Sequence, residues 1–509
     1  MLLEIHAHSS RHSRCSHIDP VRLVRQVAKK KLQGIIITEH HYLWSQEELA
    51  RLRTDAQIDD LFLVLAGQEV ETDSGHVLVL GADRTIPERI LLRDLRRTFP
   101  DAALVLAHPF RNGTVPKTDD LLNPDLDAVE IFSSNQTTRE NYFGLRAWHD
   151  HKFCACAGSD THAEDTAGVL PTLFDHLAGS IADVAAEIRK KRCRPFFKEI
   201  PKSGSTIVVT EITIGTKGDD ELRPRIILKS IRDERRWNDA ETALKIADEL
   251  YHRGFSDGVF RIPKIIDINE TERLIIEEGQ RGKSLFDLLI SVDPLVGARY
   301  FELSARWLAR LHNAGLALEN REKTLPRELK KLESYRNSFV ESGSPYRDKA
   351  DILIDFVKEE ESRVLSAASE GFVQLHGDYH PKNIIIGQDR MQDISTLFIS
   401  VIDFGNSFLF LPAFDVGYFL SQFLSQFAAF PAVLANYRES DFIKYYRSEA
   451  TGISSDLSDH TILFKIRANL SIASFFIKVG KGQSEEMAVI FERSLSLKED
   501  YGRHETRPV

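Results

Sequence analysis

Over roughly the first 190 residues, short apolar runs rich in β-branched side chains alternate with longer stretches of helical period. The runs fall at 2–6, 34–38, 61–69, 76–80, 103–107, 128–132 and 153–158, with amphipathic stretches at 20–33, 46–53, 87–98 and 139–151. Pro20 opens the first helical stretch and Gly34 closes it, the expected asymmetry of helix ends. Seven strands alternating with helices predict a parallel α/β sheet or barrel. After a charged helix ending near Lys191 the pattern changes. FFKEIPKSGSTIVVTEITI, the turn TKGDDELRP and RIILKSI predict antiparallel strands, followed by an amphipathic helix over 237–251. The most apolar stretch, 408–437, is interrupted by Asp415, Gln422 and Gln426, so it predicts a buried helix and no membrane span.

Composition narrows the class. At 509 residues and 57.8 kDa the chain exceeds one core, and its length implies about three domains. With 42% hydrophobic and 28% charged residues, it is neither disordered nor collagenous. The 66 basic and 76 acidic residues give a net charge of −10, which argues against a dedicated polyanion binder and lends nucleic-acid processing no support. Four cysteines are too few for a disulfide framework and suit a reducing cytoplasm, with Cys154 and Cys156 expected to pack in a strand. The opening MLLEIHAHSS has no basic segment followed by an apolar one, so no signal peptide is expected.

Of 18 histidines, 12 precede residue 180, and their placement matters more than their number. His6 and His8 lie two apart at a strand end, where an extended backbone puts both on one face. His40 follows the second strand in IIITEHH, Glu69 ends the third in LAGQEV, and His76 opens the next in GHVLVLG. His108 follows VLA in LAHPF, and Asp160 and His162 follow CACAGS in GSDTH. Strand ends of a β/α barrel are where active sites assemble. Imidazoles and carboxylates without a thiolate set suit zinc, manganese or iron. Glu130 in AVEIF is either a ligand or a carboxylate orienting a ligand imidazole. Arg11, Arg14 and Arg111 are candidates for clamping phosphate.

HAHSS, ITEHH, GQEVET with GHVLVLG, AHPF and GSDTH together resemble, in order, the motifs of the polymerase and histidinol phosphatase (PHP) family over residues 1 to about 170. The resemblance implies a distorted seven-stranded β/α barrel holding two or three metal ions and hydrolysing phosphomonoesters or phosphodiesters. By motif, His6, His8, Glu69, His108 and Asp160 would hold two ions, bridged partly by Glu69. His40, His76 and His162 would complete the cluster or hold a third ion, and His40 or His162 would protonate the leaving oxygen. The segment SSRHSRCSHIDP departs from the family, which usually has a carboxylate or His soon after the first pair, leaving His12 and His17 as alternatives to Ser13.

The second half carries a different signature. LHGDYHPKNIII holds Asp378 and Asn383 five apart, and Asp403 follows in SVIDFGN. This is the spacing of a kinase catalytic loop followed by its metal-binding Asp-Phe-Gly. Asp378 would accept the hydroxyl proton, while Asn383 and Asp403 hold Mg²⁺ against the phosphates of ATP. HGDYHPKN with IDFG resembles the aminoglycoside phosphotransferase and choline kinase family over residues 196 to 509. The resemblance implies a small lobe (about 196–280) and a helical lobe (about 281–509). It also implies Lys229 paired with Glu241, or with Glu249 in its place, and Ser203, Gly204 and Ser205 in a phosphate-covering turn. Glu277 and its neighbours would border the adenine, and Asp415 matches a structural position.

The expectation is thus an α/β chain with a phosphoesterase barrel at 1–195 and a kinase-like domain at 196–509. It would be cytoplasmic, hydrolysing a small-molecule phosphate ester or nucleotide and phosphorylating a hydroxyl acceptor. The alternatives are a kinase half that only senses nucleotide and regulates the barrel, a metal-poor barrel serving as a binding domain, and nucleic-acid end processing.

Overall fold

The computed structural model describes residues 1–86, 89–203, 207–216, 223–318, 321–367, 371–390, 393–452 and 456–502. It contains two compact units, one of residues 1–231 with 266–279, the other of 232–265 with 280–509.

In the first unit the strands are β1 (Leu2–Ala7), β2 (Gly34–His40), β3 (Leu63–Thr72), β4 (Gly75–Leu80), β5 (Ala103–Leu106), β6 (Ala128–Phe132), β7 (Ala155–Ala157), β8 (Thr172–Phe174) and β9 (Cys193–Pro195). They form one sheet in the order β7-β6-β5-β4-β3-β2-β1-β8-β9. The sheet nearly closes on itself. Past β7, Thr161 bridges Ala7 of β1, and the amide of His8 donates to the Thr161 carbonyl at 3.1 Å. The strands β1, β2, β5, β6 and β7 are almost wholly buried, as expected where helices cover the outer face of a sheet and side chains fill the inner one.

Two features depart from the expected parallel sheet of seven strands. β4 is antiparallel to both β3 and β5, because β3 and β4 are joined by only two residues between Thr72 and Gly75. Two residues make a hairpin and cannot make a crossover. Two short strands extend the sheet beyond β1: β8 runs antiparallel to β1, and β9 antiparallel to β8. Side-chain caps set the helix starts: Asp19 accepts from the first-turn amides of helix Pro20–Lys29, and capping boxes Ser45/Glu48 and Thr137/Glu140 open helices Gln46–Ala56 and Thr138–His151. The Cys154 and Cys193 sulfurs lie 3.6 Å apart.

A second sheet in the same unit runs β10 (Phe197–Ser203), β11 (Ile207–Ile214), β12 (Arg225–Ile231), then strands Leu274–Glu278 and Ile265–Asn269. Ile212, Ile214, Ile226 and Ile276 share one apolar core with Phe132 and Tyr142 of the barrel. Arg146 on helix Thr138–His151 pairs with Asp267 at 2.7 Å, so the sheet packs on the outside of the barrel through this helix.

The second unit is mainly helical around the antiparallel strands Ile384–Gln388 and Leu397–Val401. Its core contains Trp307, Tyr379, Phe414, Phe419 and Phe423. Helix Ala413–Gln426, from the most apolar stretch of the sequence, is buried over most of its length and packs on helix Leu457–Lys478. Among the described residues, no helix is long and apolar enough to cross a membrane.

Candidate functional site

The strand ends of the barrel bring His6, His8, Glu69 and Asp160 together, each at most 3% exposed. His6 Nε2 lies 3.2 Å from His8 Nε2, 3.4 Å from Glu69 Oε2 and 3.4 Å from Asp160 Oδ1. His8 Nε2 lies 3.1 Å from Glu69 and 3.4 Å from Asp160. The other Glu69 oxygen accepts from His76 Nδ1 at 2.6 Å and lies 3.0 Å from His108 Nε2. Glu69 therefore stands between two groups of donors, His6/His8/Asp160 and His76/His108. His40 Nε2 is 3.5 Å from Glu69, and the His162 ring stacks 4.9 Å from that of His8.

A surrounding layer decides which ring nitrogens face the centre. His6 Nδ1 donates to Glu130 at 3.0 Å, and the same carboxylate accepts the His108 amide at 2.9 Å. Glu130 thus orients imidazole and backbone. His8 Nδ1 faces Ser13 Oγ at 3.3 Å, and that hydroxyl donates to Glu39 at 2.5 Å. With both Nδ1 atoms facing outward, Nε2 of His6 and of His8 point at each other and at two carboxylates. Groups this close need positive charge among them, supplied by imidazole protons or by divalent cations, and the donor set fits the latter. Gly158 permits the approach, since a Cβ there would meet Glu130 Oε1 at 2.3 Å and His6 Cβ at 2.4 Å.

The protonation equilibria follow the same arrangement. Burial alone would lower His6, but Glu130, Asp160 and Glu69 outweigh it and lift its pKa well above the usual value. Burial would raise Glu69 and Asp160, yet the imidazoles, His6 foremost, hold both below the carboxylate range. Burial pushes His40 down to about 4 and also lowers His162. His162 Nδ1 donates to the Asp160 carbonyl at 2.8 Å, which puts the neutral ring's lone pair on Nε2.

Sequence reasoning missed Cys15. Its sulfur and ring nitrogens of His8 and His40 all lie within 4.8 Å of one another. The alternative His12 stacks on Tyr42 with ring centres 3.7 Å apart. A lone Cys in an irregular loop carried no spacing signal. Arg111 Nη1 lies 3.5 Å from Asp160, whereas Arg11 lies over the Trp44 ring.

In the second unit, the segment around Asp378 is built from buried hydrogen bonds. Asp415, fully buried, accepts from the His376 amide at 2.7 Å, the Gly377 amide at 2.9 Å and lies 3.2 Å from His312 Nε2. His376 Nε2 donates to the Ile402 carbonyl at 3.1 Å, while its Nδ1 accepts the Asp378 amide at 3.2 Å. Asn383 Nδ2 donates to the Asp378 carbonyl at 3.0 Å, and the Ile402 amide to the Asn383 carbonyl at 3.0 Å. The two segments are thereby joined. Gly377, at φ 78°, could carry no Cβ, which would lie 2.0 Å from the Asn406 carbonyl. Asp403 itself sits at φ 70°, ψ 70°, a left-handed conformation that costs a non-glycine residue about 1–3 kcal/mol and gathers at functional sites. Tyr418, which sequence reasoning passed over, donates to Asp378 Oδ1 at 2.6 Å.

The other residues expected at a nucleotide site are placed as follows. Lys229 on β12 donates to Glu277 of the neighbouring strand at 2.8 Å. Glu241 accepts from Trp237 Nε1 at 2.9 Å, and Glu249 from Arg253 at 3.3 Å. Ser203 ends β10; Gly204 and Ser205 lie outside the described residues.

A hydrogen-bonded Asp-x-x-x-x-Asn loop, tied to a strand that ends in Asp-Phe-Gly, marks a kinase-like phosphotransferase. Residues 215–450 match the model of the Phosphotransferase enzyme family (APH), which supports that assignment for this part of the chain and with it the use of nucleotide and Mg²⁺. Among solved structures, the chain is similar to choline kinase from Cryptosporidium parvum Iowa II (17% identity, 60% of this chain and 89% of that one, TM-score 0.42). It is also similar to ethanolamine kinase from Plasmodium vivax (16%, 59% and 82%, TM-score 0.38). A choline/ethanolamine kinase family protein from Mesorhizobium loti follows at 15% identity, 59% and 88% coverage and TM-score 0.35. No curated protein matches the chain.

Proposed function

We propose that the chain is a two-site phosphate enzyme: a metal-dependent phosphoesterase barrel of the PHP type at 1–195 and a small-molecule kinase from 196 onward. The observation that carries the barrel half is the convergence of His6, His8, Glu69 and Asp160 within 3.5 Å contacts in a buried position. Zinc, manganese or iron would be held by these four residues together with His76 and His108, and when bound would lower the pKa of water and neutralise phosphate oxygens. Glu130 and the Ser13–Glu39 pair hold His6 and His8 in the ligating tautomer. Arg111, beside Asp160, is placed to bind a phosphate oxygen.

In the kinase half, Asp378 accepts the acceptor hydroxyl's proton, with Tyr418 fixing its carboxylate. Asn383, whose amide nitrogen donates to the Asp378 carbonyl, and Asp403 would be the residues that hold Mg²⁺. Lys229, paired with Glu277 on the neighbouring strand, is the lysine proposed for nucleotide phosphates. The hydroxyl acceptor is a small molecule of the range this family phosphorylates.

The test is separation of activities. Phosphate release and ATP turnover are measured across phosphate-ester and hydroxyl-compound libraries for Asp160→Ala and Asp378→Ala. Asp160→Ala abolishes hydrolysis and spares phosphorylation; Asp378→Ala does the reverse. Loss of both activities from either change, with folding intact by circular dichroism, refutes the two-site reading.

A further inference from the structure

The nine-stranded sheet of the barrel leaves a seam between its two edge strands, β7 and β9. Side chains make the contacts across it. The Thr172 hydroxyl of β8 accepts the Ala157 amide at 2.9 Å and donates to the Ala157 carbonyl at 2.6 Å. Cys154, which leads into β7, and Cys193, which opens β9, place their sulfurs 3.6 Å apart. Both stand at strand starts, whereas Asp160 and the other clustered donors gather at the opposite ends. Packing alone does not explain how the three buried thiols differ. Cys156 has no exposed surface, while Cys154 and Cys193 keep 7% and 9%, so a small solute reaches those two first. Burial pushes the Cys156 thiol well up. The hydrogen bond from Cys193 outweighs burial and, with Lys191, holds the Cys154 thiol below its usual value. A thiolate-forming cysteine in contact with a second thiol is the arrangement of a reactive and a resolving sulfur.

We propose that Cys154 and Cys193 are a redox modification site, which hydrogen peroxide converts to a reversible disulfide that covalently closes the barrel seam. A disulfide holds its sulfurs about 2.05 Å apart, so the pair must close by roughly 1.5 Å from its present contact. The Cys154 thiolate attacks one peroxide oxygen, the O–O bond breaks, a sulfenic acid forms and hydroxide leaves. The Cys193 sulfur then attacks the Cys154 sulfur, the S–O bond breaks and a second hydroxide leaves. The two thiol protons turn both hydroxides to water, and the two sulfurs together give up two electrons to the peroxide. Cys156 is a poor alternative partner, because residues two apart on an extended strand point the same way without meeting. The bond would tie β7, which runs on to Asp160, to β9, which runs on through Phe196 to β10. It involves none of the clustered donors, so the proposal stands independently of metal in the barrel.

The full chain, reduced and freed of reductant, is treated with hydrogen peroxide, digested without reduction and mapped by mass spectrometry. The expected product is a cross-linked peptide joining Cys154 to Cys193, lighter than its parts by two hydrogens and separated again by dithiothreitol. In Cys193→Ala no bridge forms, and Cys154 is carried on to the sulfinic acid. Amide hydrogen exchange is then compared between bridged and reduced wild type. Exchange in β7 and β8 is expected to slow by roughly tenfold or more, since a disulfide across a loop of this length constrains opening at least that much. Oxidation confined to Cys15, or a bridge from Cys154 to Cys156, would overturn the pairing. A bridge between Cys154 and Cys193 that leaves exchange in β7 and β8 unchanged would overturn the closing of the seam.

Discussion

The buried Asp415 offers the sharpest energetic test, because its three contacts are known and the substitution Asp415→Asn preserves shape. Oδ2 faces the His376 amide and His312 Nε2, and Oδ1 accepts the Gly377 amide. The asparagine oxygen would take the Oδ2 position and keep two partners. Its NH₂ would then face the Gly377 amide, donor against donor. Leaving that amide unmet costs about 1–3 kcal/mol, and turning two bonds to a charged acceptor into neutral ones loses roughly 1 kcal/mol each. The expected loss is about 3–5 kcal/mol, within the range for breaking a buried polar network. Trp237 and Trp307 belong to the second unit, so urea unfolding followed by fluorescence in a Trp44→Phe/Trp148→Phe background reports that unit. Where folded, the variant would also turn over ATP about 10-fold more slowly, equivalent to ~1.4 kcal/mol of misplacement at Asp378. A destabilisation under ~1 kcal/mol would refute the claim that Asp415 anchors the loop.

Two further outcomes follow from buried groups. Glu130→Gln keeps the shape but weakens the acceptor shared by His6 Nδ1 and the His108 amide, so in the folded fraction zinc affinity by chelator competition should fall about 10- to 100-fold. Glu361 is fully buried, and burial first, then Glu328, hold its carboxyl well above the usual range. It stays protonated in the fold, whereas the unfolded chain loses that proton above about pH 4.5, so its presence erodes stability as pH rises. Glu361→Gln should therefore gain stability relative to wild type between pH 5 and pH 8 in urea titrations; a constant difference across that range would contradict the assignment.

Local spacing determined much of this protein. The seven apolar runs correspond to β1 through β7, and residues two apart on an extended strand, His6 and His8, necessarily share a face. The five-residue step from Asp378 to Asn383 likewise brought side chain to carbonyl within one turn. Only the tertiary structure decided contacts between segments that no local period links. It made β4 antiparallel through a two-residue turn and packed the sheet of 197–231 on a barrel helix. It also set Glu277 beside Lys229, aimed Tyr418 at Asp378 and brought Cys15 to His40. A sequence period specifies which way a residue faces along its own element. Which residue it meets depends on how elements pack and where the sheet closes, and these are settled by burial across the whole chain.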